Sequence, residues 1–104
     1  MRGIIWTTNS TYQDGIEQLD KILEGYKKLN LNYYIIKQRK NYTYSQIDND
    51  DSWEVCVTND NARGRRCNIA YIHRSISNEL KERIIIPSVL GSPYRGIWYF
   101  GEEL

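Results

Sequence analysis

Tyr33-Tyr34-Ile35-Ile36-Lys37-Gln38-Arg39, then Lys40-Asn41, then Tyr42-Thr43-Tyr44-Ser45-Gln46-Ile47, is the stretch on which the fold turns. Both runs are rich in aromatic and β-branched residues, which suit a pleated, half-buried surface. The polar pair between them has the composition of a tight turn. A second polar cluster, Asp48 to Ser52, leads into Trp53 to Thr58, where Trp53, Val55 and Val57 share one face and Glu54, Cys56 and Thr58 the other. An antiparallel meander is the simplest path through the three runs.

Upstream, Tyr12, Ile16, Leu19, Ile22, Leu23 and Tyr26 recur at three- and four-residue steps and predict one amphipathic helix from Tyr12 to Lys28. Ser10 or Thr11 is placed to cap it, with Gln13 or Asp14 at the third position. Gly15 and Gly25 each weaken such a helix by about 1 kcal/mol relative to alanine, so packing must hold it. Gly3 to Thr8 reads as a short buried strand ahead of the helix.

Downstream, Asn61-Ala62-Arg63-Gly64-Arg65-Arg66 places three arginines on a bend before Cys67 to Ile72, an apolar strand. Ser75 or Ser77 can cap a short helix carrying Ile76, Leu80 and Ile84, which Pro87 closes. Gly91 to Gly96 is a turn-rich connector, and Ile97 to Phe100 reads as a late edge strand or a segment packed over the core. The expectation is an α+β fold forming a single domain over residues 1–104, with one sheet of about five to six mostly antiparallel strands packed by one long and one short helix.

Fourteen Lys and Arg against thirteen Asp and Glu leave no overall field to recruit nucleic acid or a membrane, so partners must be read from local clusters. No apolar run is long enough to span a bilayer, and Met1-Arg2-Gly3 does not lead into a signal-type segment. The expected location is the cytoplasm, that of the host if the chain is phage encoded. In that reducing setting Cys56 and Cys67 are expected as core thiols, and one histidine with two cysteines matches no common zinc spacing.

His73 follows an apolar strand, a position that catalytic groups favour in α/β folds. No sequence signature sets a nucleophile and a carboxylate beside it, so a surface or hydrogen-bonded histidine is expected and no catalytic residue is assigned. Asp48, Asp50 and Asp51 lack the glycine and distal glutamate of a calcium loop and read as a solvated turn. The candidate contact residues are Arg63, Arg65 and Arg66 on the bend, with Lys37, Arg39 and Lys40 as a second patch. Tyr33, Tyr34, Tyr42 and Tyr44 interleave the latter, a composition able to stack bases while neutralising phosphates.

Taken in order, the elements between residues 3 and 76 resemble the middle of the ATPase domain of phage terminase large subunits and related P-loop helicases. Ile4 to Thr8 leads into its helix as that family's strand does, and Asn61-Ala62-Arg63-Gly64 is similar to the family's "SARG" segment before the Walker B strand. The resemblance puts an acidic pair where this chain has His73 and Arg74, and no GxxxxGK[ST] loop is present. What it implies is a repurposed piece that builds no magnesium site and neither binds nor hydrolyses ATP.

The resulting expectation is a non-enzymatic small phage or prophage accessory protein, without metal or cofactor. Its leading form binds a protein partner, for instance as an inhibitor of a host defence or replication protein. The alternative is a nucleic-acid-binding module using the Arg63–Arg66 bend, and a small hydrolase or nuclease ranks third.

Overall fold

The computed structural model describes residues 1–91 and 96–102, so Ser92 to Arg95 of the connector lie outside the described residues. The strands are β1 (Arg2–Thr7), β2 (Tyr33–Arg39), β3 (Tyr42–Ile47), β4 (Ser52–Val57), β5 (Ile69–His73) and β6 (Gly96–Phe100). They form one sheet in the order β2-β3-β4-β1-β5-β6. The long helix α1 spans Tyr12–Lys28. A second helical segment, α2, covers 78–89 as an α-turn (Asn78–Leu80), a π-helical stretch (Lys81–Ile85) and a further α-turn (Ile86–Val89).

The fold is α+β with one long and one short helix. The meander holds for β2, β3 and β4, which pair antiparallel. The remaining pairings, β1 with β4, β1 with β5 and β5 with β6, are parallel, which corrects the expectation of a mostly antiparallel sheet. The reason is the connections. A helix carries the chain from β1 across to the far edge and another carries it from β5 to β6, and crossovers of that length join strands of the same direction.

β1 is the central strand and is buried from Gly3 to Thr7. Ile5 packs with Leu19, Leu23, Ile47, Trp53 and Val55 under α1, while Ile4 and Trp6 pack with Cys56, Ala70, Ile72, Ile84 and Ile85 under α2. The molecule is therefore three layers deep over β1 and β5. α1 covers one face of β3 as well, burying Thr43, Ser45 and Ile47, and the alternate residues Tyr42, Tyr44 and Gln46 stay half-exposed on the other face.

Thr11, one of the two predicted caps, stands at the N-cap of α1, and Thr8 opens the 3₁₀ turn Asn9–Thr11 just before it, its amide donating to Thr11 Oγ1 at 2.9 Å. One boundary falls elsewhere than the sequence predicts. Pro87 does not end the second helix. The backbone widens into the π-helical stretch just before it, so the proline's missing N–H falls where the α-helical ladder is already broken. Ser77 caps this helix as predicted, its Oγ accepting from the Leu80 amide.

Candidate functional site

The hairpin turn at Lys40-Asn41, where Asn41 adopts φ 65°, brings the end of β2 to the carboxyl end of β4. A groove of about 550 Å³ opens there. Lys37, Arg39, Lys40 and Arg65 line it, together with Asn9, Asn41, Asn59 and Asn61 and with Tyr42, Val57 and Ala62. The two basic clusters of the sequence thus meet, but only through Arg65. Arg63 and Arg66 are exposed and do not line this groove; together with Arg65 and Arg83 they line a second depression. Gly64 sits in the Arg63–Arg66 bend at φ 85°, a backbone conformation glycine adopts freely.

Arg65 is held rather than loose. Its Nη1 donates to Glu54 Oε2 at 3.0 Å, and its guanidinium lies 5.1 Å from the centre of the Tyr42 ring. Glu54 is 1 % exposed and also receives Arg2 Nε at 2.8 Å and the Tyr42 hydroxyl at 3.0 Å. Two arginines around one carboxylate leave a net positive charge. Burial, followed by the adjacent Glu54 carboxylate, pushes the Tyr42 phenol above its ordinary value, so it remains a donor at neutral pH.

A shallower depression of about 350 Å³ adjoins the groove, sharing Lys37 and Tyr42 with it and adding Arg2, Ile36, Tyr44, Ser52 and Glu54. Pairing across strands sets Tyr34 opposite Gln46, Lys37 opposite Tyr44 and Arg39 opposite Tyr42, so these side chains share the face that α1 does not cover. Tyr33 lies opposite Ile47 and belongs to the core under α1. The register shift between Ile35 and Lys37 is what brings Ile36 to the open face.

His73 ends β5 at the carboxyl edge of the parallel strands, where open α/β sheets keep ligand crevices. It is 1 % exposed. The Ser75 amide donates to its Nδ1 at 3.1 Å, so the ring hydrogen sits on Nε2 and is donated to Asp14 Oδ2 at 2.8 Å. The Ser75 hydroxyl also lies 2.7 Å from Nδ1. A hydroxyl, an imidazole and a carboxylate are thus aligned, which the sequence did not foretell because Asp14 is 59 residues away. The Nδ1 lone pair already receives an amide, and the ring is closed in by Phe100 edge-on at 5.1 Å and by Gly101, on which a Cβ would run into the imidazole. This geometry ties α1 to β5.

The aspartate turn differs from its reading as merely solvated. Asp51 accepts from the Tyr26 hydroxyl at 2.8 Å and pairs with the terminal amine of Met1, fastening the turn to α1 and β1. Among the described residues no group of three or more His, Cys, Asp or Glu is placed to hold a metal ion, and no helix is long and apolar enough to cross a membrane.

Comparison with protein-family models, with curated proteins and with solved structures finds no match to this chain. The functional reading rests on the geometry.

Proposed function

We propose that this chain is a non-enzymatic nucleic-acid-binding domain, and that the groove beside the Lys40-Asn41 turn holds the phosphate backbone. The observation that carries this reading is the convergence of Lys37, Arg39, Lys40 and Arg65 on one groove with four asparagines and no acidic lining residue among those described. Cations supply salt-sensitive affinity, and carboxamides supply donors and acceptors for sugars and base edges. Neutralising about four phosphates gives a fall of log affinity with log salt at a slope of about −3 to −4. Titration of labelled oligonucleotides at several salt concentrations tests it. Lys37→Glu, Arg39→Glu, Lys40→Glu together should flatten the slope by about two to three, since each removes one contact. These side chains are exposed, so the reversals remove no core contact. Reversing Arg63 and Arg66 should change the slope by less than about one. Tight binding that survives the triple reversal would overturn the reading.

A second reading is favoured by one observation. Ile97, Trp98 and Tyr99 are exposed in sequence on the edge strand β6. A phage or prophage accessory protein acting in the host cytoplasm on a defence or replication protein would use this edge. Its partner would be held with little salt dependence and would tolerate reversal of the groove cations.

A further inference from the structure

The open face of β2 and β3 carries more than charge. Tyr34, Tyr44 and Tyr42 stand on it in successive rows, each row two residues from the next along β3, because Tyr34 lies opposite Gln46. Among the described residues no helix covers this part of the face, since α2 packs over β1 and β5. Tyr34 is 53 % exposed. The Tyr44 hydroxyl donates to Gln46 at 2.9 Å, which fixes its ring along the strand. The Tyr42 ring is overlain by Arg65, whose guanidinium offers a planar face in its place. Each inner row pairs its ring with a cation across the strand gap, Lys37 with Tyr44 and Arg39 with Tyr42.

Resting on the nucleic-acid reading above, we infer that the occupant is a single strand whose unpaired bases stack on Tyr34, Tyr44 and the Arg65 guanidinium while its phosphates follow Lys37, Arg39 and Lys40. Spacing decides against a duplex. Two residues of a strand span about 7 Å, whereas bases in a duplex rise by about 3.4 Å per step and present no free faces. Only a strand with its bases unstacked can lay successive ones on successive rows. The buried Glu54 does not repel it, because Arg2 and Arg65 neutralise that carboxylate. Stacking on flat faces is tolerant of sequence, so little preference among bases follows.

The test is fluorescence anisotropy with labelled oligothymidine, oligouridine and a mixed-sequence duplex of equal length, at ~50 mM and ~200 mM salt. Both single strands should bind at least about tenfold more tightly than the duplex. The comparison of the two shows whether the 2′-hydroxyl contributes. Tyr34→Ala and Tyr44→Ala should each weaken single-strand binding by roughly 5- to 100-fold with the salt slope unchanged. Tyr44→Phe should keep most of the wild-type affinity, because the ring stacks and the hydroxyl bond to Gln46 only orients it. Equal or tighter binding of the duplex, with a slope that still depends on the groove cations, would overturn this inference and leave the groove reading standing. So would unchanged affinity in both alanine variants. No binding of any oligonucleotide would overturn both.

Discussion

At Glu54 a carboxylate that water barely reaches receives Arg2, Arg65 and the Tyr42 hydroxyl, and it holds Arg65 over the Tyr42 ring. Removing one partner of such a cluster leaves uncompensated charge in a place of low polarity. Next along the same strand and facing α2, Cys56 illustrates burial acting on chemistry. Its thiol, ordinarily near 9, is pushed up to about 12 by desolvation, and Tyr26 rises to about 12 for the same reason. The folded protein therefore keeps protons that the unfolded chain gives up. Their contribution to stability is whole below about pH 9 and drains away as the pH climbs toward about 12. Thermal melts should thus fall steadily across that window, and native Cys56 should resist a thiol reagent at pH ~8 until denaturant is added. Rapid labelling of the native protein would contradict the burial. The sequence placed both cysteines in the core correctly from composition alone. It missed the ties of Asp14 to His73 and of Asp51 to Tyr26, because a pairing between distant residues leaves no local signature.

The elements themselves were the legible part. The three- and four-residue rhythm of Tyr12 to Tyr26 gave α1 its observed limits, and aromatic and β-branched content gave β2 and β3 theirs. Strand direction was not legible, since a period of two is the same in parallel and antiparallel pairings. Gly15 shows why propensity misleads. Alanine there would favour the isolated helix by about 1 kcal/mol. In the folded protein its Cβ would lie 2.5 Å from Thr7 Cγ2 and 2.7 Å from Val55 Cγ1. At Gly15 the backbone of α1 lies too close to Thr7 and Val55 of the sheet to admit a side chain. Gly15→Ala is therefore expected to destabilise by about 1–3 kcal/mol, read as a lower midpoint in urea with an unchanged slope. Gly25→Ala, where nothing lies within 4 Å, should stabilise instead. Equal effects at the two positions would show that helix propensity, not packing, governs α1.

Across the whole molecule the two faces of the sheet have been given different work. α1 covers one face from β3 to β5 and reaches only Phe100 of β6, while α2 packs over β1, β5 and Cys56 of β4 on the other, which leaves the tyrosine rows and the groove in the open. This asymmetry explains how far the candidate site could be read from sequence. The basic residues were visible as two clusters, but that only Arg65 of the second reaches the groove of the first depends on the tertiary placement of the β2–β3 turn against the Arg-Gly bend.

The two borders of the sheet are unequal as well. β2 carries Lys37, Arg39 and a register shift, all of which discourage another strand from adding to it. β6 has no charged residue, and Ile97, Trp98 and Tyr99 are open to solvent. A particle with two adhesive borders polymerises, whereas one with a single adhesive border can only pair off. Self-association of this 12.3 kDa chain at high concentration should accordingly stop at twice its mass, in light scattering behind a sizing column, and Trp98→Lys should abolish it. Assemblies larger than two would mean that β2 is not guarded. Such a protein carries its own stop to fibre growth, written in the few cations of one strand.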